Sequence, residues 1–349
     1  MTLTTDFTWH DLPLDVPFGI SRGTTERSGN VVVRVTDEDG TVGIGGGAPV
    51  EYYGESRESV ESVLPDLLSV VEDVDDPFQL QRIERRLRDV VGDATSDPAA
   101  RSAVSVALHD LVCKRLDVPL YRYWGLDPDR PVTSSFTIGL ADTEAMADRA
   151  AETVDAGYSV LKVKLGTDRD REVVRAVRAA APEATVRVDA NEAWDPDEAV
   201  AMTEFLADHG VEFVEQPVPA ADPEGLARVR EEGALPVAAD ESCVTARDVP
   251  AVADSVDVVV VKLAKCGGLQ AARRQIHTAH AHDLDVMLGC MTESNASIAA
   301  AAHLTPLVEY ADLDGALLLA DDPFDGVPMP GGRIDLTASV GPGTGVSER

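Results

Sequence analysis

Lysine is rare in this chain, and its placement is uneven. Of 349 residues only five are lysine, and four of these fall in two pairs: Lys162 and Lys164 in VLKVKLG, Lys262 and Lys265 in VVVVKLAKCGG. Lys114 stands alone, and arginine carries most of the remaining positive charge. Lysine is therefore not kept here for solubility. An ammonium can release its proton in a tuned site and a guanidinium cannot, so lysines that close apolar runs read as acid–base groups. Lys265 falls beyond its run, in K-C-G-G, and reads as structural.

Other apolar runs end in acids. Asp189, Glu215 and Asp240 close three successive runs. Their spacing is roughly 25 residues, one strand–helix unit each. Adjacent strands carry their tips side by side, so three anionic groups converge. Such a set repels itself unless a cation sits among it, and oxygen-only ligands favour Mg²⁺ or Mn²⁺ over zinc. Three unrelated caps in an acid-rich chain would not keep phase with the repeat.

The elements that must position these groups follow from the pattern around them. Further apolar runs end near Ile138, Cys290 and Asp312. Between runs the texture is amphipathic and helical, as at 142–156, where Ala147, Ala150, Ala151 and Val154 share a face. Asp195-Pro196-Asp197 and Asp222-Pro223-Glu224 are helix starts, a capping acid before a proline at the first helical position. Eight strands in this rhythm predict an α/β fold, a (β/α)₈-type barrel over 126–315. A doubly wound open sheet is the alternative. It wants a glycine-rich phosphate turn after its first strand, which FTIGLADTEA lacks. Residues 1–125 are expected to form an α+β capping domain. It would have short strands at 30–36 and 41–45 and helices near 56–74, 77–92 and 98–116. The Gly- and Pro-rich segment 316–349 is expected to return to that domain.

Such barrels work at the C-terminal ends of their strands. Residues i and i+2 of a strand face the same way, so Lys162 and Lys164 both enter the mouth. Lys164 on the second strand and Lys262 on the sixth stand opposite each other, with the three acids on the strands between. A substrate carboxylate on a metal held there would have a lysine on each face of its α-carbon. The chemistry implied is a 1,1-proton transfer. Lys164 would serve one face and Lys262 the other, with the metal and Lys162 stabilising an enolate. Neighbouring cations are expected to lower the lysine pKa toward the working pH.

Composition narrows the partners. The chain has 62 acidic and 30 basic residues, a net charge of −32. That field repels nucleic acid and anionic membranes, which leaves a small-molecule substrate and, as an allowed partner, a second copy of the chain. The acid is spread among 44% hydrophobic residues, unlike a disordered tail. A halophilic, cytoplasmic protein is the expectation, with surface charges screened by salt. Cys113, Cys243, Cys266 and Cys290 show no C-x-x-C spacing and are expected to be reduced. The start, MTLTTDFTWHDL, lacks the basic and apolar regions of a signal peptide, and no apolar run is long enough to span a bilayer. Seven histidines are present, and none closes a strand beside an acid; His277, His280 and His282 read as a solvated helix face.

These residues resemble the enolase superfamily. K-x-K at 162–164, D-A-N at 189–191, E-Q-P at 215–217, A-D-E-S at 239–242 and K-L-x-K-x-G-G at 262–268 are similar, in that order, to the muconate lactonizing enzyme subgroup. The resemblance covers essentially the whole chain. It implies a modified, enolase-like barrel, with Lys162 electrostatic and Lys164 and Lys262 the two acid–base groups. The subgroup holds cycloisomerases, o-succinylbenzoate synthases, and racemases or epimerases.

At the eighth strand Y-A-D-L-D-G, 310–315, resembles the dipeptide epimerases, such as those of the L-Ala-D/L-Glu type. There a D-x-D binds the dipeptide's α-ammonium, matched by Asp312 and Asp314. Two carboxylates suit an amine and would repel a muconate dianion. The run Gly289–Glu293, which includes Met291, and Thr137 in F-T-I-G also resemble the epimerases. Where many relatives have G-E-A-P, this chain has Gly46-Gly47-Ala48-Pro49. Arg22, in the expected capping loop Pro17–Gly23, is placed to pair with an acidic side chain of the substrate.

The resemblance thus implies a Mg²⁺-dependent dipeptide epimerase inverting the α-carbon of the C-terminal residue. Lys162, Lys164 and Lys262 would be catalytic, and Asp189, Glu215 and Asp240 would hold the metal. Thr137, Asn191, Met291, Asp312, Asp314 and Arg22 would contact substrate. A muconate or chloromuconate cycloisomerase, an o-succinylbenzoate synthase or N-acylamino-acid racemase, and a non-catalytic metal-binding barrel remain alternatives.

Overall fold

The computed structural model of the chain describes residues 2–93, 95–130, 132–337 and 341–349. It opens with an antiparallel sheet of β1 (Leu3–Ile20), β2 (Gly23–Asp37) and β3 (Val42–Gly47), paired in sequence order. The sequence pattern gave β3 and the second half of β2 but not β1. Most side chains of β1 face water or the boundary, and its buried apolar residues are Leu3, Leu12 and Leu14. The alternation is too weak to read. Pairing with β2 slips between Pro13 and Phe18, a bulge that re-aims the strand. The segment Pro17–Gly23 is therefore not a loop but the tip of a hairpin, with Ile20 opposite Gly23.

Four helices follow: α1 (Arg57–Glu72), α2 (Leu80–Val91), α3 (Pro98–Arg115) and the short α4 (Leu120–Tyr123). Val31, Val33 and Val35 of β2 share a core with the first three. Helix α3 is buried on every side from Pro98 to Cys113, as a helix wedged between a sheet and a barrel must be. Strand β3 meets it backbone to backbone. A Cβ on Gly43, Gly45 or Gly47 would fall 2.1, 2.2 or 2.3 Å from the carbonyl oxygens of Ala107, Ala103 and Ala99. Steps of two along the strand match steps of four along the helix, and only glycine fits.

The barrel strands are β4 (Phe136–Ile138), β5 (Val160–Lys164), β6 (Thr185–Asp189), β7 (Val211–Glu215), β8 (Val237–Ala239), β9 (Val258–Lys262), β10 (Asp285–Gly289) and β11 (Tyr310–Asp312). They form one parallel sheet in sequence order, closed by a bridge between Ser134 and Ala311. Around it lie α5 (Thr143–Asp155), α6 (Asp170–Ala180), α7 (Pro196–Asp208), α8 (Pro223–Glu232), α9 (Val249–Val252), α10 (Leu263–Cys266), α11 (Leu269–Ala281) and α12 (Asn295–Ala302). The expected caps are present: Asp195 accepts from Glu198 N and Asp222 from Gly225 N, each at 2.9 Å. The barrel floor is plugged by Phe213, Val258, Val260, Met287 and Tyr310.

The C-terminal segment carries β12 (Phe324–Asp325) and β13 (Ser347–Glu348). Thr344 N and Oγ1 donate to Asp110 of α3, and Glu348 pairs with Arg34 of β2 at 2.5 Å. Residues 338–340 of this tail lie outside the described residues. Among the described residues, no helix is long and apolar enough to cross a membrane.

Candidate active site

A cavity of about 350 Å³ opens at the C-terminal ends of the barrel strands, roofed by the β1–β2 hairpin and residues 48–53. Lys162, Lys164, Asn191, Asp240 and Lys262 line its base. Thr137, Met291, Asp312, Asp314 and Arg22 line its walls. Asp189 and Glu215 lie beneath, fully buried. Ladder register brings these groups together: Lys164 pairs across from Asp189, Asp189 from Glu215, and Gly289 from both Lys262 and Asp312. Gly289 is itself a requirement. A Cβ there would press on Lys262 Cε at 3.1 Å, so the inward position beside the lysine is left empty.

The ammonium groups stand between the acids. Lys164 Nζ donates to Asp189 Oδ2 (2.7 Å) and Asn191 Oδ1 (3.1 Å). Lys162 Nζ lies 3.1 Å from Asp189, 2.7 Å from Glu215 and 2.9 Å from Asp312. Lys262 Nζ donates to Asp240 Oδ2 at 2.6 Å. Lys265 is structural in the sense expected. Fully buried, it gives three 2.7 Å hydrogen bonds, to Asp240 Oδ1, Asp240 O and Val260 O. The expected lowering of lysine pKa does not occur at Lys162 or Lys262. Burial pulls Lys162 down, but Asp312, Glu215 and Asp189 hold it well above its ordinary value. Burial also opposes Lys262, and Asp240 wins in the same direction.

The three acids are unequal. Burial opposes ionisation of Asp189, yet Lys164 and Lys162 hold it well below the usual carboxylate range. Lys262 and Lys265 do the same for Asp240. Glu215 goes the other way: burial and the charge of Asp189 push it up to about 8. Among the described residues, Glu215 has no polar contact beyond the 2.7 Å ion pair with Lys162, and its Oε1 is unpartnered. A buried carboxylate with an unpartnered oxygen, set between two others, is the donor set a hard divalent cation fits. Among the described residues no three acidic, His or Cys side chains already close on one point.

The loops after these strands are strained. Asn191, Glu192 and Gln216 have φ of 43°, 68° and 37°. Asn191 N donates back to Asp189 Oδ1 at 2.9 Å. Gln216 Oε1 accepts from the backbone N of Asp240 and Ser242, both at 3.0 Å, which ties the β7 and β8 ends together.

On the opposite wall Asp312 Oδ1 accepts from Ser135 Oγ at 2.6 Å, and Asp314 Oδ2 from Thr137 N at 2.5 Å. Burial, then Asp312, push Asp314 up to about 7. The two acids reach the same cavity, but not as i and i+2 of one strand, because β11 ends at Asp312 and Asp314 begins the following turn. Ser135 was missed in the sequence, though it sits two residues before Thr137 on the same face.

Arg22 is already engaged. Its guanidinium pairs with Glu241 (2.7 Å) and Glu192 (3.1 Å) and stacks over Tyr52 at 4.7 Å from the ring centre. Tyr52 OH donates to Glu192 at 3.0 Å. The sequence gave no signal for this latch, whose partners lie far apart along the chain. Cys290 also lines the cavity. Burial, then Asp314, Asp312 and Glu293, raise its thiol well above its ordinary value and keep it neutral.

Two family models match the chain. Residues 3–125 match the mandelate racemase/muconate lactonizing enzyme N-terminal domain, and residues 145–348 match the enolase C-terminal domain-like family. The L-Ala-D/L-Glu epimerase of Bacteroides thetaiotaomicron is 36% identical over 338 residues, covering 97% of this chain and 86% of that one. The L-Ala-D/L-Glu epimerase of Escherichia coli is 35% identical, covering 93% and 97%. A solved dipeptide epimerase from Enterococcus faecalis, complexed with Mg and L-Leu-L-Tyr, superposes with a TM-score of 0.93 at 32% identity over 100% of both chains. The chain belongs to the mandelate racemase/muconate lactonizing enzyme family of the enolase superfamily.

Proposed function

We propose that this family member is a dipeptide epimerase that inverts the α-carbon of the C-terminal residue by moving a proton between Lys164 and Lys262. The observation that carries this reading is the placement of the two lysines. They stand on β5 and β9, four strands apart in a ring of eight, in one cavity, with acids on the three strands between. A planar carbon held between them would meet one ammonium on each face.

Asp189, Glu215 and Asp240 would hold Mg²⁺, which supplies a Lewis acid for the substrate carboxylate. Lys162 adds a fixed positive charge where negative charge grows as the α-proton leaves. Lys164 takes the proton on one face as a neutral amine, while Lys262 as an ammonium donates on the other; the reverse reaction exchanges their roles. Asp312 and Asp314 would receive the substrate's amino terminus, with Ser135 and the Thr137 N–H orienting them. A dicarboxylate substrate for a cycloisomerase would meet the same two acids and be repelled.

The net charge of −32 and the free cysteines support a reducing, high-salt, intracellular setting. The test is exchange of the α-proton with solvent deuterium across a set of L-X-L-Y dipeptides, with and without Mg²⁺. The expected result is Mg²⁺-dependent incorporation at the C-terminal residue. Full exchange after chelation, or none with any dipeptide, would contradict the reading.

A further inference from the structure

Beside the mouth lies a second cavity, of about 470 Å³, that the chemistry above does not use. It sits between the hairpin, the end of β4 and helix α5. Phe18, Thr137 and Leu318 line both cavities. Its lining is mostly apolar, including Val16, Pro17, Ile138, Leu140 and Met146, and its rim is charged, with Asp15, Asp148 and Arg149.

The fold builds this space deliberately. The bulge between Pro13 and Phe18 frees residues 14–17 from β2 and lays them over α5. There Asp15 approaches Arg149 at 3.8 Å, and Leu140 N donates to Gly19 O at 2.8 Å. A Cβ on Gly19 would strike Leu140 O at 2.4 Å, so glycine permits the close approach. Val16 is left 48% exposed, an apolar side chain at the rim of an apolar space.

We propose that this cavity receives the side chain of the substrate's N-terminal residue, and that the residue is a branched aliphatic or aromatic one. The inference rests on the dipeptide reading above. If Asp312 and Asp314 hold the amino terminus, Thr137 joins that site to the second cavity: its N–H bonds Asp314, its Oγ1 lies 3.5 Å from Asp312 Oδ1, and the residue borders both spaces. The N-terminal side chain leaves the carbon that bears the amine and so departs beside Asp312, Asp314 and Thr137, whereas the C-terminal side chain leaves the carbon held between the lysines. The apolar walls reject a charged or amide side chain.

The test compares kcat/KM for Ala-, Val-, Leu- and Phe-dipeptides sharing one C-terminal residue, in wild type and in Ala145→Leu. Ala145 lines the cavity from an exposed position of α5, where leucine is a good helix former and folding is retained. Burying three more carbons should favour the Leu- over the Ala-dipeptide by roughly 10- to 60-fold. In Ala145→Leu the ratio should collapse toward one. A wild-type ratio near one, or a ratio unchanged in the variant, would overturn the cavity assignment and leave the dipeptide reading standing. Absence of exchange with every dipeptide would overturn both.

Discussion

The floor and the mouth of the barrel are built from the same strands, one inward step apart, and they differ in what they leave unsatisfied. On β6 the step runs from Arg187 to Asp189, on β7 from Phe213 to Glu215, on β9 from Val260 to Lys262, and on β11 from Tyr310 to Asp312. At the floor no described side chain is among the buried polar atoms without a partner. Arg187 bonds Glu212 at 2.7 Å and Ala311 O at 3.3 Å, and lies over the rings of Phe213 and Tyr310 at 5.2 and 4.9 Å. At the mouth, among the described residues, Glu215 has no contact beyond its ion pair with Lys162, Glu241 Oε2 has no hydrogen-bond partner, and three residues hold positive φ. Stability and chemistry are thus separated along the strand axis. The positive-φ residues Asn191, Glu192 and Gln216 after β6 and β7, and the under-bonded carboxylates Glu215 and Glu241, lie at the end that meets substrate.

The comparison breaks most visibly if a floor residue proves catalytic. Phe213→Ala should lower stability by about 3–5 kcal/mol through the cavity it leaves, read by denaturant unfolding. The folded fraction should keep kcat/KM near wild type. Near-normal stability with lost turnover would contradict the division.

A comparable effect comes from two buried histidines outside both regions. His109 Nδ1 lies 2.7 Å from Ser105 O, which it meets as a donor, and His303 Nε2 lies 3.1 Å from Thr344 O in the same way. Their other nitrogens face donors, Gln270 Nε2 and Tyr121 N, so the imidazoles are neutral. Burial lowers both to about 4. A depressed folded-state pKa means the contribution is whole above the unfolded value near 6.5 and is lost as pH falls toward 4. The loss is up to about 3 kcal/mol for each histidine. Unfolding curves between pH 7 and 4.5 should show this fall, and His303→Gln should reduce its slope. A slope unchanged in the variant would rule out the histidine.

The smallest expected effect sharpens the mouth itself. Asp312→Asn should cost about 10- to 150-fold in kcat/KM on free dipeptides, from one charge-assisted hydrogen bond. N-acetylated dipeptides should be poor substrates of the wild type and change little in the variant. Equal turnover of free and acetylated dipeptides by the wild type would show that these acids are not an amine site.

Much of this was legible in the sequence because charged residues close apolar runs at a regular interval. Lys164, Asp189, Glu215 and Lys262 each end a strand as read, and β4 to β11 follow the expected order. What was hidden depends on register or on distance along the chain. The bond from Lys164 to Asp189 appears only once β5 and β6 align. The Arg22–Glu241 latch joins the hairpin tip to the end of β8, and β1 itself is too polar on both faces to signal a strand. The shift of Lys262 was misjudged because its carboxylate partner, not its fellow lysines, sits nearest.

The two-lysine transfer is tested most directly by following each pure epimer in D₂O with Lys164→Ala and Lys262→Ala, both loaded with Mg²⁺. Each variant should lose epimerisation by about 10²- to 10⁴-fold, the span of a lost general base. Each should still exchange the α-proton of one epimer, and the two variants should act on opposite epimers. Epimerisation at the wild-type rate in either variant, or exchange of the same epimer by both, would contradict a lysine on each face.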